Sequence, residues 1–113
     1  MKKIEAIIQP FMLSAVCDEL ESIEGLPGVT ISQVSRFGKM RDLDVPEVHA
    51  EAGRDFAKKT KIEVVVADTL VDCVVKTITH AARTGKPGDG KVFVIDVAGA
   101  VRIRTGEKGE KAL

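Results

Sequence analysis

The stretch with the most chemical content is Arg83-Thr84-Gly85-Lys86-Pro87-Gly88-Asp89-Gly90-Lys91. Its glycines let backbone N–H groups converge without a Cβ in the way, so the segment can cradle an anion. Arg83, Lys86 and Lys91 add positive charge. Further on, Arg102 and Arg104 are two residues apart, which on a strand places both on one side. Residues 83–108 carry six basic side chains (Arg83, Lys86, Lys91, Arg102, Arg104, Lys108) against three acidic ones (Asp89, Asp96, Glu107). The whole chain balances 17 Lys+Arg against 17 Asp+Glu, so this local excess points to a polyphosphate site. The competing reading is a glycine turn beside a solvated strand edge. Neither the Walker A pattern nor the dinucleotide fingerprint occurs.

Other chemistry is poorly supplied. His49 and His80 lack the Ser, Cys or carboxylate pattern of a triad, so no catalytic residue is expected. His49, near Glu47 and Glu51, is a weak metal candidate, and a solvated loop histidine fits it better. Cys17 and Cys73 sit far apart in apolar segments and read as two buried thiols, not as a disulfide or zinc pair. Zero net charge, no Trp, no Tyr and only four Phe argue against a nucleic-acid surface. No stretch approaches the roughly 20 apolar residues of a membrane span. The opening Met1-Lys2-Lys3-Ile4-Glu5, with Pro10 soon after, lacks a signal-peptide core. A cytoplasmic protein without membrane insertion is the expectation.

The elements that must position these residues come from a repeat. Lys3-Ile4-Glu5-Ala6-Ile7-Ile8 is similar to Lys61-Ile62-Glu63-Val64-Val65-Val66, and both read as strands. Leu13, Val16, Cys17, Leu20 and Ile23 follow the first at helical spacing. Leu70, Val71, Val74, Val75, Ile78, Ala81 and Ala82 follow the second, with Asp68-Thr69 as the expected N-cap. Glycine and proline punctuation ends each helix, and strands at 29–34 and 91–97 come next. The pattern βαβ-βαβ predicts one α+β domain over 1–113. Its expected form is a ferredoxin-like sandwich, a four-stranded antiparallel sheet with two helices on one face. A long polar loop, 38–58, separates strands two and three, and such loops are usually functional or disordered. Residues 101–107 read as a short C-terminal strand.

The same residues resemble the PII signal-transduction family, the nitrogen regulatory proteins. Lys2 through Phe11 are similar to that family's first strand. Phe37-Gly38 resembles the entry to its T-loop, and Asp55-Phe56 through Val66 the exit. Ala81 through Lys86 with Gly88 through Val94 resemble its B-loop, and Arg102 through Glu107 its C-terminal loop. The resemblance implies a homotrimer that binds ATP or ADP between subunits. It implies a non-enzyme that controls an enzyme, transcription factor or membrane transporter through the T-loop. Gly88, Asp89, Gly90 and Lys91 would wrap the phosphates, with Arg102 and Arg104 reaching them from the neighbouring subunit. Thr30, Gly38, Lys39 and Val65 would complete the nucleotide pocket.

Departures from the family pattern matter as much. Met40 stands where 2-oxoglutarate sensors carry a magnesium-coordinating glutamine, and a thioether is a poor ligand for a hard cation. Lys59, the expected contact for the oxo-acid's distal carboxylate, is kept. The departure argues against magnesium-dependent 2-oxoglutarate sensing. Ala52 replaces the loop tyrosine that the family modifies, and residues 38–59 contain no Ser, Thr or Tyr. Covalent modification of a loop hydroxyl is therefore excluded. Gln9 and Met12 replace residues that are usually basic. Two other readings remain. One is a metal- or small-anion-responsive adaptor of a divergent PII branch associated with a transporter or carbon assimilation. The other is a small acylphosphatase-type enzyme, which lacks its expected glycine loop because Gln9-Pro10-Phe11 occupies that place.

Overall fold

The computed structural model describes residues 1–38, 48–51 and 54–113. Its elements run β1 (Lys2–Ile8), α1 (Leu13–Glu21), β2 (Thr30–Arg36), β3 (Val48–Glu51), β4 (Arg54–Val66), α2 (Val71–Ala82) and β5 (Gly90–Asp96). The main sheet has the order β2-β4-β1-β5, antiparallel throughout, which is the ferredoxin-like arrangement. Each βαβ unit is split by a strand of the other: β4 lies between β1 and β2, and β1 lies between β4 and β5.

Alternation explains the layering. Ile4, Ala6 and Ile8 of β1 pair with Val64, Ile62 and Thr60 of β4, so these side chains share one face. Val16 and Leu20 of α1, with Val74, Ile78 and Ala82 of α2, cover that face, and all are buried. The helix-free face carries the intervening residues. There Glu5 lies directly opposite Glu63, a repulsive register that Lys3 relieves. Lys3 Nζ is 2.5 Å from Glu63 and 3.4 Å from Glu5, and Lys61 is 3.6 Å from Glu63. The hydrogen bond to Lys3 holds the Glu63 carboxyl below its ordinary value, and the same bond raises Lys3.

Four expectations are corrected. The 38–58 segment contains more regular structure than a loop. β4 begins at Arg54, and Val48–Glu51 pairs with its first residues, where β1 has already ended. The segment has no apolar alternation of its own. Its pairing is an extension of an existing strand, helped by a Phe37–Phe56 edge contact at 5.4 Å. The C-terminal strand is reduced to one antiparallel bridge, Val101 to Lys108. Arg102 N–H to Glu107 O and Gly106 N–H to Arg102 O, both 2.8 Å, curl the chain into a turn. Asp68 does not cap α2; it pairs with the N-terminal amino group at 3.0 Å, which lowers its pKa. Cys73 is exposed on α2 and Cys17 only partly buried. Lys39, Met40 and Ala52 lie outside the described residues.

The start of β5 is the tightest point of the fold. Gly90 has φ +104°, and a Cβ there would lie 1.7 Å from the Ile7 carbonyl oxygen. Gly85 has φ +87° but open space around it. Gly90→Ala is therefore expected to lower unfolding free energy by about 3 kcal/mol and Gly85→Ala by about 1 kcal/mol. Urea denaturation of both variants checks the difference.

Candidate functional site

The loop between α2 and β5 is organised by its own aspartate. The Asp89 carboxylate accepts the Thr84 N–H at 2.8 Å, the Gly85 N–H at 2.9 Å and the Thr84 hydroxyl. The Thr84 hydroxyl oxygen in turn accepts the Lys86 N–H at 3.2 Å. The Thr84 hydroxyl, those N–H groups and the charge of Arg83 hold the Asp89 carboxyl below the ordinary aspartate range, against a smaller desolvation effect. Asp89 thus acts on the loop's shape through its side chain. Its position is set at one end by the helix terminus and at the other by the Gly90 contact.

A second tie comes from the sheet. Lys59 is 1% exposed, on the helix-free face of β4. Its ammonium donates to the Gly88 carbonyl at 2.8 Å and to Gln9 Oε1 at 3.2 Å. The loop, the end of β1 and β4 are therefore joined at one buried charge. Beside it opens a pocket of about 330 Å³. Gly88, Gly90 and Lys91 form its loop side, Lys59 and Arg36 its β4–β2 side, and Ile7 and Phe93 its apolar floor. Among the described residues, no carboxylate lines it. With Lys59, Arg36 and Lys91, glycine backbone and an apolar floor among the described residues, the site can hold an anionic ligand that also has a flat apolar part.

The expected site residues divide in two. Gly88, Gly90, Lys91 and Lys59 come together at the pocket, with Asp89 behind them and Gly38 next to Arg36. Thr30 pairs with Glu63 and Val65 with Lys3, toward the opposite end of the same face. The six residue steps from Thr30 to Arg36 span roughly 20 Å. Arg102 and Arg104 do not line the pocket within this chain. Because residues 101–108 form a turn, strand alternation does not place the two arginines on one side. Arg102 donates to the C-terminal Leu113 carbonyl at 2.7 Å and lies 3.5 Å from Glu107. His49 falls on β3, opposite Phe56. Among the described residues no group of three or more potential metal ligands gathers, and no helix is long and apolar enough to cross a membrane. Sequence reasoning did not single out Arg36; its alternation with Val34 and Ser32 on β2 was the available signal.

The family model described as nitrogen regulatory protein P-II matches residues 1–107. The chain is 48% identical over 113 residues to the nitrogen regulatory protein P-II of Klebsiella oxytoca, covering 100% of both. It is 49% identical to the protein of the same name from Haemophilus influenzae, again with full coverage of both. Among solved structures, Arabidopsis thaliana PII bound to citrate superposes with a TM-score of 0.80 at 41% identity. That match covers 99% of this chain and 91% of the plant chain.

Two outcomes follow from this geometry. Thr84→Val removes the largest influence on Asp89, so the Asp89 titration midpoint, read by carboxyl carbon NMR, rises toward the ordinary value. Because the native carboxyl is the stronger acid, its stabilising effect is complete above the ordinary aspartate range. It is lost as pH falls through the lowered native value. Lys59→Met leaves the Gly88 carbonyl and Gln9 amide without the ammonium and is expected to cost about 2 kcal/mol in denaturant unfolding.

Proposed function

As the chain belongs to the nitrogen regulatory protein P-II family and is a PII-type signal-transduction regulator, we propose that it senses adenine nucleotides, ATP or ADP, in the pocket beside the 84–90 loop. The observation that carries this reading is the loop itself. Asp89 holds it from within, Lys59 holds its Gly88 carbonyl, and Gly90 is packed on Ile7, so its backbone is shaped before any ligand arrives. Pre-shaped donors lower the cost of binding because little is left to order. Lys91 and the backbone from Gly88 to Gly90 take the phosphates.

The site is completed by assembly as a homotrimer. Arg102 and Arg104 lie outside the pocket of their own chain, so they reach phosphates only from a neighbour. Thr30, Val65 and the 38–39 base serve the adenine end of a cleft formed between copies. Phe93 and Ile95, each more than 40% exposed on the helix-free face, are apolar surface suited to such packing. The controlled partner is an enzyme, transcription factor or membrane transporter that docks on the segment between β2 and β4, in the cytoplasm. Control runs through ligand occupancy. A change of phosphate charge next to Arg36 and Gly38 alters the populations of the attached segment.

Isothermal titration with ATP, ADP and AMP tests the proposal. Binding of ATP or ADP at micromolar concentration, with one site per chain, is the expected result. Absence of binding by all three at high micromolar concentration overturns it.

A further inference from the structure

Resting on the nucleotide reading, the inference concerns one side chain of the same pocket, Arg36. β2 and β5 are opposite edges of the main sheet, with β4 and β1 between them. They nevertheless share this pocket because β1 stops short. The last residue of β1, Ile8, lies opposite Thr60, whereas β2 continues to Arg36, opposite Ala57. Arg36 and Lys59 are on the same face of the sheet, since Val34 is opposite Lys59 and Arg36 is two residues on. The Arg36 guanidinium also lies over the loop base, where a Cβ on Gly38 would be 3.5 Å from Nη2.

Among the described residues, the pocket's cations Lys59, Arg36 and Lys91 differ in what they can offer an anion. Lys59 donates to two protein oxygens and is buried, so its work is to hold the loop. Arg36 and Lys91 are exposed at the pocket's two sides. A guanidinium presents a planar fork that matches two phosphate oxygens, which an ammonium does not. We propose that Arg36 is a phosphate-contacting residue of this pocket and tilts it toward the more highly charged nucleotide. The physical reason is that a cation's attraction grows with the charge it faces. Removing it costs a triphosphate more than a diphosphate, and a monophosphate least. Arg36 also precedes Gly38 by two residues, with its guanidinium beside that glycine.

The test is titration of the full chain and of Arg36→Gln and Arg36→Lys with ATP, ADP and AMP at two salt concentrations. The glutamine variant should weaken ATP about tenfold, ADP less and AMP least. It should also flatten the salt dependence of ATP binding. The lysine variant should keep the salt dependence and recover only part of the affinity. Equal weakening of all three nucleotides, or no change, overturns the assignment while leaving the nucleotide reading intact. Failure of the unmodified chain to bind any nucleotide overturns both. Thermal unfolding of the variants within a few degrees of the parent confirms that an affinity change is not a folding defect.

Discussion

The ammonium of Lys59 is buried beneath the pocket, and a buried charge must be surrounded by acceptors. Meeting that requirement draws the Gly88 carbonyl inward and sets the Gln9 amide at the end of β1. The loop between α2 and β5 is thereby anchored to a strand 29 residues earlier in the chain. Gly90 then has to pass against the Ile7 carbonyl, at a distance that only a residue without Cβ tolerates. Asp89, one residue before, closes the loop on Thr84 and Gly85. Shape, charge and chain path at the pocket all derive from that anchored carbonyl.

Gln9 clarifies how this chain differs from its family's pattern. A basic residue in its place would bring a second cation toward Lys59. The neutral amide instead supplies an acceptor, Oε1 at 3.2 Å from the ammonium. The base of the pocket then holds the Lys59 ammonium without a second cation from position 9, and Arg36 and Lys91 add their charge at its sides. The absence of Ser, Thr and Tyr from residues 38–59 has a related consequence. The segment therefore offers no side-chain hydroxyl for covalent modification.

The two faces of the sheet do different work. One is a dry layer of β-branched and aliphatic side chains under α1 and α2, and it supplies the stability. The other combines a Lys–Glu ladder with the exposed apolar residues of β5 and with the pocket. Charges in a ladder of this kind fix register more than they stabilise, because exposed pairs are individually weak.

Much of the fold was readable because alternation and helical spacing report burial directly. The repeat of Lys3–Ile8 and Lys61–Val66 gave the two central strands, and the glycine run around 85–90 marked the loop that shapes the pocket. What the pattern missed has one cause. The first half of β4, the short β3 and the turn at 101–108 owe their conformation to partners remote in sequence, not to a pattern of their own. The same is true of the part Lys59 plays in the fold: family resemblance singled it out as an oxo-acid contact, and its tie to the Gly88 carbonyl emerges only in the folded chain. The cation at position 36 belongs to the pocket only because β1 ends three residues before β2 does. Residue types and their periodicity thus determined which faces are buried and where the glycines allow an anion cradle. Tertiary structure decided which charges face that cradle, because strand length and register are set between chain segments and not within one.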